Sequence, residues 1–428
     1  MAILSVTSTS VTVNPLKQSQ AIGATLAFLG LKGMLPLLHS SPGCSAFTKS
    51  PLAQHLREAI PLSSTAMTEV STIMGDEDKV EQAIVQMVQR YQPEIVGLCT
   101  TGLTETKGDD LRRLTKDIRH RYPELDNLPI VLVSTPDFKG TLQDGFAAAV
   151  ESIVKEIPQN SGGCYLQQVV VLASSAFTPA DIEQVKEIIA AFGLQAIAIP
   201  DLSGLLDSQW DHNYNGITGS GTTLAELQQI GHSVFTLALG ESMRGAAKIL
   251  EQRFNIPYEV FSELTGLGAT DRFLQALADI SGHHVPEKYR RQRRQLQDLM
   301  LHTHTYFGGK RVSVALEPDL LLSIVTFLQS MGVHIHTAVT TTRSPVLEKL
   351  TIPCVTIGDL EDFEQMAVGS DLLIANSYTT TISKRLNIPL YRQGIPIFDR
   401  LGHALSIKVG YQGTKQLLLD IANLFFQD

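Results

Sequence analysis

Glu94-Ile95-Val96-Gly97-Leu98-Cys99-Thr100 reads as a short, apolar strand, and it stands between two amphipathic helical stretches, Asp78 to Tyr91 and Asp109 to Tyr122. A second apolar run, Pro129-Ile130-Val131-Leu132-Val133-Ser134, follows the later helix. Strands alternating with helices at this spacing predict βαβ units on a parallel sheet, so the chain belongs to the α/β class. Working back toward the N-terminus, an apolar helix from Ala24 to Leu29, preceded by Gly23, leads into the strand Met34-Leu35-Pro36-Leu37-Leu38. Working forward, the pattern breaks at the polar Pro158-Gln159-Asn160-Ser161-Gly162-Gly163 and then resumes.

The second series holds Val169-Val170-Val171-Leu172-Ala173, Gln195 to Pro200, Ser233 to Leu239 and Tyr258 to Phe261, with Thr178-Pro179-Ala180-Asp181 opening a helix. A charged helical stretch from Pro286 to Met300 leads to a third series: Arg311 to Leu316, His334 to Val339, Val355 to Ile357 and Asp371 to Ala375. An amphipathic helix from Lys415 to Phe426 closes the chain. At 428 residues the chain exceeds what one core usually holds, and its hydrophobic content of 43% suffices to fill several. The expected architecture is three Rossmann-like, doubly wound parallel-sheet domains, over 23–160, 161–285 and 286–428. The polar, Ser/Thr-rich residues 1–22 precede them as an arm of the kind that often lies across a partner. In such folds ligands sit at the carboxyl ends of the strands.

A net charge of −9 argues against a nucleic-acid or anionic-membrane partner, because such surfaces need an excess of Lys and Arg. No run reaches the ~18 apolar residues of a membrane span, and the start Met1-Ala2-Ile3-Leu4 lacks the basic opening of a signal peptide, so a cytoplasmic protein is expected. The four cysteines, Cys44, Cys99, Cys164 and Cys354, lie far apart with no CxxC pair. They form neither a disulfide framework nor a local zinc or iron–sulfur motif.

Cys44 is the exception in its setting. In His39-Ser40-Ser41-Pro42-Gly43-Cys44-Ser45-Ala46-Phe47 the thiol follows a Pro-Gly turn, which lifts the sulfur to a loop tip and brings backbone N–H groups toward it. That setting suits either a cluster ligand or a free thiol, and a metal bound there needs ligands from distant residues or another polypeptide. A helix is expected to begin at Pro51. Cys99 and Cys354 read as buried, inert thiols and Cys164 as an exposed linker residue. Gly266-Leu267-Gly268-Ala269-Thr270-Asp271 has Asp where a phosphate loop needs a third glycine. Thr223 and Glu226 form a capping box. His302 and His304 are spaced to share one side of an extended segment, with no partner to make a metal site. Arg290 to Arg294 reads as a solvated helix face. No self-contained catalytic apparatus is evident.

Taken together, the Cys44 stretch, Thr100-Thr101-Gly102-Leu103-Thr104-Glu105, Pro200-Asp201-Leu202-Ser203-Gly204, the helix start at Gly221 to Glu226, Gly308-Gly309-Lys310-Arg311-Val312 and Ile395 to Gly402 resemble nitrogenase molybdenum–iron protein subunits over nearly the whole chain. The opening Val13 to Gln20 points, within that family, to the β-like subunit of the scaffold on which the iron–molybdenum cofactor is assembled. The resemblance implies the nitrogenase component 1 type of fold and an α2β2 heterotetramer with a similar α-like chain. It also implies a 4Fe-4S cluster shared at each interface, to which this chain gives Cys44 and the partner three cysteines. The cofactor precursor would be held mainly by the partner, and the nitrogenase iron protein would dock transiently. Any redox activity would belong to the complex.

The alternative is the β subunit of a catalytic nitrogenase or a nitrogenase-like reductase. Catalytic β subunits carry further cluster cysteines, one of them where this chain has Gly102, so that reading is the weaker. Tyr378 stands where relatives commonly carry His, and no role passes to it.

Overall fold

The structure is a computed structural model and describes residues 3–6, 15–74, 77–159, 163, 165–207 and 216–426. Its described strands form three sheets in which every pairing is parallel. The first sheet runs Ser63–Ser64, Met34–Leu38, Ile95–Cys99, Ile130–Val133 across its width, and the second runs Gln195–Ile199, Tyr165–Ala173, Ser233–Leu239, Tyr258–Phe261. In each, the first strand in sequence lies between the second and the third. The chain therefore reverses direction across the sheet between those central strands, which is the place where doubly wound folds bind ligands.

The third sheet follows the Rossmann order. Its strands lie as Cys354–Ile357, His334–Thr340, Arg311–Ala315, Leu372–Ala375, Leu390–Arg392, so the reversal falls between Arg311–Ala315 and Leu372–Ala375. Residues Met34 to Leu38 and Ile95 to Cys99 are all buried, as expected of strands covered by helices on both faces.

One continuous apolar core underlies the first two sheets, joining Phe28, Phe146, Val171 and Phe273. Its tightest seam joins the helices Gln20–Leu29 and Leu142–Glu156. A Cβ on Gly23 would stand 1.9 Å from the Leu142 carbonyl oxygen, and one on Gly145 would stand 2.0 Å from that of Gln20. No side chain fits there, so both glycines are fixed by backbone approach.

Several local expectations are corrected. The arm contributes a strand, Ile3–Val6, that pairs in register with Cys354–Ile357 and extends the third sheet at its edge. Its backbone groups find partners within this same chain, with Ile3 N–H donating to the Pro353 carbonyl at 3.0 Å. This pairing leaves Cys354 exposed at the start of its strand, where Ser5 Oγ lies 3.4 Å from the sulfur. The helix expected over 109–122 is present with slightly narrower bounds. A left-handed Gly108 ends the helix Gly102–Lys107, and Asp110 caps a new one, Leu111–Arg121. His302 and His304 lie inside the helix Glu287–Phe307, where a two-residue step turns side chains to different faces. Cys164 lies outside the described residues.

Other readings are met. Thr223 and Glu226 form the reciprocal capping box at 3.2 and 2.9 Å. Thr178 caps the helix Pro179–Ala190 through Asp181. Within the arginine run, Arg293 grips Asp271 at 2.8 Å, and Arg290 and Arg294 both reach Glu287.

Candidate metal centre

Strand Met34–Leu38 ends at the carboxyl edge of the first sheet, at the reversal point beside Ile95–Cys99. The helix that follows is Pro42–Leu56, so Cys44 sits in a helical first turn and not at a loop tip. Pro42 explains the early start. At the first helical position its missing N–H is no loss and its fixed φ suits the helix, and Gly43 beside it crowds nothing. Pro51 is inside this helix and costs it one internal hydrogen bond on a poorly covered stretch. Thr48, Leu52, His55 and Leu56 form the buried stripe, and the face carrying Cys44 and Phe47 is open to solvent.

The helix end is arranged for an anionic sulfur. Ser41, at the cap, makes no side-chain bond to the helix amides. Its hydroxyl instead donates to Cys44 Sγ at 3.4 Å. The first amides of any helix lack internal acceptors and carry the positive end of the helix dipole, and here the first turn holds no acidic side chain. Donors near a cluster sulfur stabilise its negative charge.

Beneath the thiol the chain is held rigidly. His39 is 2% exposed, with Nδ1 3.0 Å from Thr65 Oγ1 and Nε2 3.2 Å from Asp109 Oδ2. A neutral ring with its proton on Nε2 meets both partners, accepting from Thr65 and donating to Asp109. Lys107 Nζ adds a contact to the other Asp109 oxygen at 3.1 Å. The His39 amide donates to the Cys99 carbonyl at 2.8 Å, and Thr101 Oγ1 donates to the His39 carbonyl at 3.2 Å. The Thr100-Thr101-Gly102 step thus clamps the turn that delivers Cys44. Gly102 opens the helix Gly102–Lys107 without any thiol.

Cys99 is buried, and burial pushes its thiol up to about 12, so it stays protonated and inert. Among the described residues no group of three His, Cys, Asp or Glu side chains could hold a metal ion, so a cluster at Cys44 would need its remaining ligands from outside the described residues. The residues present fit one corner of a shared cluster: an exposed thiol, a hydroxyl aimed at it and free amides around it.

A second polar centre was not legible beforehand. At the carboxyl end of Arg311–Ala315, Glu317 accepts hydrogen bonds from Thr141 Oγ1 at 2.8 Å and Thr341 Oγ1 at 2.7 Å. Asp319 accepts from Ser242 Oγ at 2.6 Å, and its amide donates to Gln143 Oε1 at 2.9 Å. Elements of all three sheets meet at these two carboxyls. Burial raises Glu317 to about 7 and Asp319 to about 6. The signal available in the sequence was an acidic pair, Glu317-Pro318-Asp319, placed between an apolar strand and an apolar helix.

Three parallel sheets, two of them reversing beside their first strand and the third in Rossmann order, define a multidomain doubly wound α/β protein, with an exposed thiol at the reversal point of the first sheet. Residues 19–426 match the family described as nitrogenase component 1 type oxidoreductase, and the chain belongs to it. The protein named nitrogenase iron-molybdenum cofactor biosynthesis protein NifN in Nostoc sp. is 65% identical over 425 residues, covering 99% of this chain and 96% of its own length. Proteins of the same name from Rippkaea orientalis and Klebsiella pneumoniae are 55% and 37% identical, over 97% and 99% of this chain and 94% and 93% of theirs. A solved structure titled "Nitrogenase Cp1 at pH 6.5" superposes with a TM-score of 0.93 at 30% identity, covering 98% of this chain and 94% of that one.

Proposed function

We propose that this chain is a subunit of the scaffold complex on which the nitrogenase iron–molybdenum cofactor is matured before transfer to the apo molybdenum–iron protein. The relatives' common name supports the reading, and the observation in this chain that carries it is the solitary exposed Cys44 at a dipole-positive helix start. In this proposal the partner is a NifE-like α subunit in a cytoplasmic α2β2 heterotetramer. Cys44 is one ligand of a 4Fe-4S cluster, the partner supplies three, and the partner holds most of the cofactor precursor. The nitrogenase iron protein docks transiently.

The surface around Cys44 supports a permanent partner there. Phe47, Val70 and Ile73 are 80%, 71% and 82% exposed, and each sits on a segment that leaves the carboxyl edge of the first sheet. Apolar groups of that exposure suit an obligate interface. When bound, the cluster supplies one-electron chemistry. The chain's own part is to present the sulfur, to offset its charge with Ser41 and the helix amides, and to fix its position through His39, Thr65, Thr101 and Asp109.

The test is anaerobic co-expression with the α chain, comparing wild type with Cys44→Ala by iron content and by the electron paramagnetic resonance of the reduced cluster. Loss of the 4Fe-4S signal from an assembled complex is expected. An unchanged signal would remove Cys44 from the ligand set.

A further inference from the structure

A cavity of about 420 Å³ lies between the loop 400–407 and the first half of the helix Gly410–Phe426. It is at the carboxyl end of the edge strand Leu390–Arg392, away from Cys44. Its charged lining consists of Arg392, Arg400, Lys408 and Asp420, with the amides of Gln412 and Gln416 beside them.

These groups are not equally committed. Arg392 is spent on Asp399, which it grips through Nε at 3.0 Å and Nη2 at 2.8 Å. Asp420 accepts from Gln416 Nε2 at 2.8 Å. Arg400 is exposed, and its guanidinium has no hydrogen-bond or ion-pair partner among the described residues. Lys408 is the unusual member. It is 8% exposed, yet its ammonium has no hydrogen-bond acceptor among the described residues either.

The nearest buried carboxylate does not satisfy Lys408. Asp181 uses Oδ1 for the backbone amides of Lys408 and Val409, at 2.6 and 3.2 Å, and Oδ2 for that of Thr178 at 3.0 Å. Burial, with Arg400 nearby, lowers the pKa of Lys408, and Asp181 and Asp420 oppose that shift without taking its protons. An ammonium with no protein acceptor needs another partner, and of the three cavities that Lys408 lines, of about 40, 30 and 420 Å³, this one is by far the roomiest.

We propose that this cavity is a binding site for a small oxyanion, a carboxylate or a phosphate, held by Lys408 from within and Arg400 from the rim. A guanidinium fork pairs two oxygens at once, an ammonium serves as a point charge, and Gln412 can donate to a third oxygen. Asp420 limits the charge the site accepts and favours ligands that meet the two cations without approaching the Gln416 side.

Isothermal titration of the full-length chain, purified with its co-purifying partner in low-chloride buffer, tests this with sodium phosphate and sodium succinate as separate probes. Saturable binding of at least one probe is expected, and the tighter of the two identifies the phosphate or the carboxylate source. Arg400→Gln, an exposed substitution that leaves the fold alone, is expected to weaken binding by about tenfold. Lys408→Met is expected to abolish it, and Asp420→Asn to tighten it by removing a like charge. Absence of saturable binding to wild type, or equal affinity in wild type and Arg400→Gln, would overturn the proposal.

Discussion

The carboxyl edge of the first sheet and the meeting point of the second and third occupy equivalent places in their folds and are filled in opposite ways. At the first, the reversal point delivers Cys44 into solvent on a helix whose outer face also exposes Phe47 and Lys49. At the other, the corresponding space is closed by the half-buried Glu317 and the buried Asp319, both hydrogen-bonded to neighbours from other sheets. The same topology therefore yields an open edge or a closed joint, and the side chains that follow each strand decide which. The open end leaves its thiol and Phe47 on the surface; the closed end joins the three sheets of a single chain.

Substitutions that break this contrast should act in descending order. On the ligation proposed above, Cys44→Ala is the most severe for function, and it should leave the fold intact because the thiol is exposed. Circular dichroism of the apo chain should be unchanged while cluster iron is lost.

The seam beneath both ends comes next. Gly23→Ala forces a methyl into the Leu142 carbonyl, and a loss of about 3 kcal/mol in urea-unfolding stability is expected. A stability equal to wild type would mean that the two helices separate freely.

The closed end should respond to pH. Burial raises both Glu317 and Asp319 above their unfolded values near 4, so the folded state binds their protons more tightly. Their contribution to stability is complete below the unfolded values and is lost as pH rises through about 6 and then about 7. Urea midpoints should fall between pH 5 and pH 8 by an amount on the order of 2 kcal/mol, and Glu317→Gln should flatten much of that slope. A slope unchanged in the variant would remove Glu317 as its source. The smallest effect belongs to the capping box. Thr223→Ala should cost about 1 kcal/mol and leave cluster content untouched.

Much of this was legible in the chain itself. Apolar runs such as Met34–Leu38 and Ser233–Leu239 announce buried parallel strands because both faces must be covered, and the Thr223–Glu226 spacing announces a helix start because capping is local. A solitary cysteine after Pro-Gly announced a sulfur presented at the surface, and Cys44 is exposed. What the sequence could not supply was long-range. That Ile3–Val6 completes the third sheet, that Cys354 beside it is exposed, and that His39 is locked by Thr65 and Asp109 depend on contacts between residues far apart in the chain. Local physics fixes where strands, helix starts and the thiol fall along the sequence. Tertiary packing alone decides which carboxyls share a dry joint and which lysine is left facing a cavity, because burial is a property of neighbours that no local pattern specifies.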